Sequence, residues 1–120
     1  MGIINVSPES FYRGSIKTTT GSIANSAVTM ERQGADIIDI GAMSTAPYLE
    51  NVIPVEKEIK RMGLAIKIVR KNCNLAISVD TPRSAVAREA VKLGVDCLND
   101  VTGLKYDENM ASVVAESNLP

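Results

Sequence analysis

The sequence has no histidine and no tryptophan, only 3% aromatic residues, and two cysteines, Cys73 and Cys97, outside any Cys-x-x-Cys arrangement. Without an imidazole, histidine acid–base chemistry is ruled out within this chain, and neither a disulfide framework nor a typical zinc site is supported. So few aromatic rings cannot build a platform for stacked bases. Thirteen basic against fourteen acidic side chains, net −1, give no field that would gather phosphate backbones, which excludes nucleic acid as a partner. No run approaches the roughly 18 apolar residues of a membrane span, and the start MGIINVSPESF lacks both a basic leader and a small-residue cleavage site. The expectation is a cytoplasmic protein with no membrane partner.

What the chain does have is an ordinary globular composition, 45% hydrophobic and 22% charged over 120 residues, with no linker, repeat or low-complexity segment. One domain spanning 1–120 is expected. Four branched apolar runs, Gly2 to Val6, Asp36 to Ile40, Ala76 to Asp80 and Cys97 to Val101, are strand-length and nearly continuous, as in parallel strands covered on both faces. A helical pattern follows each. Ser22 reads as the cap of the first helix, with Ile23, Ala27, Val28 and Met30 inward and Gly34 ending it. A second starts at Pro54, and Val55, Ile59, Met62, Ile66 and Val69 form its apolar stripe. The third is read with Thr81 as cap, Val86, Ala87, Ala90 and Val91 on one side and Gly94 as terminator, and the fourth begins near Asp107 with Met110, Val113 and Val114 buried.

Four strand–helix units require right-handed crossovers and a parallel sheet, either a doubly wound sheet or a (β/α)8 barrel. A barrel of about 250 residues uses about 31 per unit. Four units therefore fill this chain, and the fold class is α/β with four βα repeats corresponding to half of such a barrel. Half a barrel has two open edges, so the chain is expected to form a homodimer, to splay into an open sheet, or to be a truncated piece of something longer.

In parallel α/β folds ligands sit beyond the carboxyl ends of the strands. Those positions hold Asn5 with Ser7, Glu9 and Ser10; Asp39 with Ser44 and Thr45; Asp80 with Thr81; and Asn99 with Asp100 and Thr102. Acids and amides inside apolar strands are costly to bury unpartnered, and one on every strand near the same edge points to a single polar pocket. Read singly, Asp80 could cap the following helix, Asn99 and Asp100 could tie down a turn, and Asp39 could support the next loop. The long first loop, Ser7 to Gly21, with Phe11 and Tyr12, suits a lid or rim packing. Lys17, Lys57, Lys60 and Arg61 read as solvated faces, Cys97 as a small core residue and Cys73 as an ordinary loop thiol.

The segments GIINVSPESF, GADIIDIGAMST, ISVDT and GVDCLNDVTG, in that order, resemble the N-terminal half of dihydropteroate synthase and its archaeal relatives, from Met1 to about Gly103. The resemblance implies that 4-aminobenzoate attacks the methylene of 6-hydroxymethyl-dihydropterin diphosphate and displaces diphosphate, in folate synthesis. It implies magnesium carried with the diphosphate and held by Asn5. By the same resemblance Thr45, with Ser44 and Asp39 in its neighbourhood, belongs to the diphosphate and substrate site, Asp80 and Asn99 bond the pterin ring, and Val101 forms part of the apolar wall. Bacterial members have Glu, Arg and Gly where this chain has Met43, Ala46 and Tyr48, which leaves open a related arylamine bearing a ribose phosphate, as in methanopterin synthesis. The family's remaining pterin acid and its basic diphosphate residues lie in the second half of the barrel. Two alternatives accompany this reading: a pterin-binding methyltransferase domain working with a corrinoid protein, and a self-associating half-barrel without catalytic activity.

Overall fold

The computed structural model describes residues 1–6, 16–42 and 53–120, with 16–19 described as backbone only. The apolar runs form strands β1 (Gly2–Asn5), β2 (Ile37–Gly41), β3 (Ala76–Asp80) and β4 (Cys97–Asn99). They alternate with helices α1 (Ile16–Arg32), α2 (Val55–Asn72), α3 (Ser84–Lys92) and α4 (Met110–Ser117). Every strand pair is parallel and the spatial order is the chain order, β1-β2-β3-β4. That order separates the two parallel architectures: a doubly wound sheet reverses direction at its switch point, whereas a barrel winds one way throughout. Each helix packs on the next, α1 on α2, α2 on α3 and α3 on α4, so the helices form a layer on one face. This is the architecture of half a (β/α)8 barrel.

Strand residues alternate between the two faces. Ile4, Ile38, Ile40, Ile77 and Val79 turn toward the helices and are buried against Ile23, Ala27, Met62, Ile66, Val69, Val86 and Ala90. The apolar stripe expected on α2 is there, with Met62, Ile66 and Val69 buried and Val55 and Ile59 at its margin. Gly34 and Gly94 end α1 and α3 in the left-handed region, φ +90° and +80°, where a side chain would be strained.

Several boundaries differ from the sequence reading. α1 begins at Ile16, six residues before the cap expected at Ser22, so Ser22 and Gly21 stand exposed inside a helix. Local propensity is a weak prior, and a cap signal within a longer helix misleads. α2 starts at Val55 with Pro54 itself at the cap position. α3 starts at Ser84 with Arg83 at its cap position, not at Thr81, and the orphan Ser84 N–H is satisfied by Asp107 Oδ2 at 2.8 Å. α4 starts at Met110 instead of near Asp107. Cys73 is not a loop thiol: it is buried at the C-terminal cap of α2, donating its N–H to Val69 O. β4 stops at Asn99, leaving Val101 in a turn. Beside β4, Leu98 N donates to Pro120 O at 3.0 Å, and Leu119 packs against the core.

Candidate functional site

The strand registers put Asn5, Gly41, Asp80 and Asn99 in one row across all four strands, at their carboxyl ends and on the face away from the helices. Gly41 keeps the middle of this row open. A Cβ there would stand 3.3 Å from Asn5 Oδ1 and 3.9 Å from Asp80 Oδ2, so both side chains reach over the glycine. One layer deeper, on the same face, lie Asp39 and Ser78, both buried. The Asn99 amide donates from Nδ2 to Asp39 Oδ2 at 3.1 Å, spanning β3 from β4 to β2.

Asp39 Oδ1, Ser78 Oγ and Asp80 Oδ1 are buried and, among the described residues, without a hydrogen-bond partner. Buried polar atoms in native proteins are nearly always satisfied, so three orphans on one face call for a ligand or ordered water. Asp80 is half-buried; burial first, then the charges of Asp39, Asp100 and Glu58, push its carboxyl up to about 6. Such a group, accepting no bond at Oδ1, is suited to receive N–H donors from a flat heterocycle.

Of the residues singled out from sequence, Asn5, Asp39, Asp80 and Asn99 come together. Ser7, Glu9, Ser10, Phe11, Tyr12, Met43, Ser44, Thr45, Ala46 and Tyr48 lie outside the described residues. Val101 is 61% exposed in the turn after β4. Asp100 serves that turn, accepting from Thr102 N, Thr102 Oγ1 and Leu104 N at 2.8, 2.7 and 2.9 Å. Lys57 and Lys60 are exposed as expected, whereas Arg61 is half-buried and engaged.

Sequence reasoning named Thr81 but missed Glu58 and Arg83, its partners behind Asp80. Thr81 Oγ1 donates to Glu58 Oε1 at 2.8 Å, and Arg83 Nη1 pairs with Glu58 Oε2 at 2.9 Å, with Glu58 fully buried. A signal existed: Glu58 stands four residues before Met62, on the buried side of α2, where a carboxylate needs a charged partner. Gly41 and Ser78 were also passed over, because small residues carry no pattern of their own.

Comparison with known proteins agrees with this geometry. Residues 1–120 match the family described as pterin binding enzyme. The chain is 42% identical over 120 residues to the dihydropteroate synthase of Bacillus subtilis, covering all of this chain and 42% of that protein. It is 43% identical over 123 residues to the folate synthesis bifunctional protein of Arabidopsis thaliana, covering 25% of it. It thus spans less than half the length of these curated relatives. Among solved structures, a Clostridium difficile dihydropteroate synthase in the presence of pteroic acid superposes with TM-score 0.91 at 41% identity, over 99% of this chain and 45% of that one. A Xanthomonas albilineans dihydropteroate synthase in complex with 7,8-dihydropteroate gives 0.82 at 33% identity, over 100% of this chain and 42% of that one. With its whole length matched by the family and its strand-end acids and amide on one open face, the chain belongs to the pterin binding enzymes.

Proposed function

We propose that this chain supplies the pterin-reading edge of a dihydropteroate synthase-like transferase, which joins 6-hydroxymethyl-dihydropterin diphosphate to 4-aminobenzoate or a related arylamine in folate or methanopterin synthesis. The observation that carries the reading is the grouping of Asp80, Asn99 and Asp39, with orphaned carboxylate oxygens on the open face. A pterin presents adjacent ring N–H and amino donors beside ring acceptors. The Asp80 carboxylate accepts from the donors, and Asn99, its orientation held by Asp39, keeps a carbonyl and a second N–H for the remaining edge. The solved relatives in the presence of pteroic acid and with 7,8-dihydropteroate support this assignment.

In the reaction the arylamine nitrogen forms a bond to the pterin methylene carbon, the carbon–oxygen bond to diphosphate breaks, and the nitrogen loses one proton. The residues of this chain do not attack. They hold the ring so that the methylene faces the amine, and Thr45 binds the departing diphosphate. Asn5 offers a carbonyl oxygen at the rim, a hard donor that suits magnesium, an ion held by few protein oxygens plus substrate phosphates. Bound there, magnesium would offset charge on the leaving group. The open edge of β1 is proposed to pair with a second copy of the chain; sedimentation at the mass of one 12.8 kDa chain at high concentration would rule that out.

The reading is tested by calorimetric titration of the chain with 6-hydroxymethyl-dihydropterin diphosphate and magnesium, in parallel with Asp80→Ala. Binding that Asp80→Ala removes is the expected result. Equal binding by both proteins, or none by the folded chain, would overturn the assignment of this edge as a pterin site.

A further inference from the structure

The pair Glu58 and Arg83 lies behind the row of site residues and touches none of the atoms that face the ligand. Both carboxylate oxygens of Glu58 are engaged by the stretch that follows Asp80: Oε1 by Thr81 Oγ1 at 2.8 Å and Oε2 by Arg83 Nη1 at 2.9 Å. Thr81 Oγ1 in turn accepts the Arg83 N–H at 3.2 Å, and Thr81 N donates to Asn99 O at 3.0 Å. Arg83 Nη1 also donates to Ile53 O at 2.7 Å, next to the Pro54 that opens α2. Thr81 is therefore the node through which α2 holds the ends of β3 and β4 together. Burying an ion pair adds little net stability once its desolvation is counted, and apolar replacements of similar volume are often tolerated. What such a pair does supply is one fixed arrangement of the backbone around it.

We propose that Glu58 and Arg83 are positioning residues, which hold Thr81 so that the Asp80 carboxylate and the Asn99 amide stand at the spacing the ligand edge requires. The ligand part of this proposal rests on the pterin reading; the geometric part does not.

The test is the double variant Glu58→Leu with Arg83→Met, compared with Arg83→Lys, by thermal unfolding, amide hydrogen exchange at Thr81 and titration with 6-hydroxymethyl-dihydropterin diphosphate. The double variant is expected to unfold cooperatively near the parent temperature, to exchange the Thr81 N–H on the order of tenfold faster, and to bind pterin on the order of tenfold more weakly. Arg83→Lys, which keeps the charge and one donor nitrogen able to make more than one bond, should recover most of the affinity. A folded double variant whose Thr81 exchange is unchanged would overturn the proposal, as would weaker binding that only follows lost stability. If the unaltered chain binds no pterin, the pterin reading fails while Thr81 exchange still decides the positioning role. If the double variant does not fold, Thr81→Val carries the same test, because it keeps the volume but removes the hydroxyl that joins Glu58 Oε1 to the Arg83 N–H.

Discussion

Asn99 Nδ2 donates to Asp39 Oδ2 across the intervening strand β3, at 3.1 Å, passing between Ser78 and Asp80. The bond fixes which end of the Asn99 amide faces the open side of the sheet and ties β4 to β2 without a backbone contact between them.

Asp39→Ala should leave the Asn99 amide free to turn. We expect ligand affinity measured by calorimetry to fall about tenfold, the worth of one ordered hydrogen bond to a charged group. In a double-mutant cycle with Asn99→Ala the two losses should be less than additive by about 1 kcal/mol. Strict additivity would mean that the contact does not contribute to binding.

Asp80 carries a pH dependence with a definite sign. Its folded value is raised from 3.8 to about 6, chiefly by burial, so the folded chain holds this proton more tightly than the unfolded chain. The contribution favours folding below the unfolded value and is lost as pH rises through about 6. Asp80→Asn should flatten that slope in urea-unfolding titrations and stabilise the chain at pH 7 by roughly 1 kcal/mol after solvent screening. The same change should abolish pterin binding, since an amide sets N–H against N–H. In the parent chain pterin affinity should grow as pH rises through about 6, because the accepting form is the carboxylate.

Gly41 and Asn5 test the rim. The methyl of Gly41→Ala would come within 3.3 Å of Asn5 Oδ1, so ligand binding should weaken while thermal stability changes little. Asn5→Ala should weaken binding of the diphosphate ligand only when magnesium is present. An equal loss in chelator would make Asn5 structural.

Asp96 sits at the opposite ends of the strands. Its Oδ2 accepts from Ile77 N and from Arg70 Nη2, each at 2.8 Å, and these two donors hold its carboxyl below the usual range. Its contribution is present above the ordinary carboxylate range and lost as pH falls through the lowered value. Asp96→Ala should cost about 1–2 kcal/mol in denaturant unfolding, by orphaning the Ile77 amide, and leave pterin affinity unchanged. A change in affinity would contradict the division of this sheet into a binding end and a stabilising end.

The strands and the stripe on α2 were legible because burial on a regular element imposes a period, and a period survives in one dimension. So did the polar edge: Asn5, Asp39, Asp80 and Asn99 stood out as costly groups in apolar runs, and the chain brings them to one face. The starts of α1 and α3 were not legible: Ser22 has the chemistry of a cap but lies inside a helix that already runs from Ile16, and Thr81 has it too, while the Ser84 N–H is served by Asp107 from 23 residues away.

The sequence by itself determined that the chain is a run of four strand–helix units with an acid or amide at each strand end, because hydrophobic periodicity and the cost of burying polar groups act locally. Only the tertiary structure decided the register that aligns Asn5, Gly41, Asp80 and Asn99, and the burial of Glu58 against Arg83. Those depend on contacts between residues far apart in the chain, 25 positions for Glu58 with Arg83 and 60 for Asp39 with Asn99, whose partners are chosen by packing in three dimensions and leave no pattern along the chain.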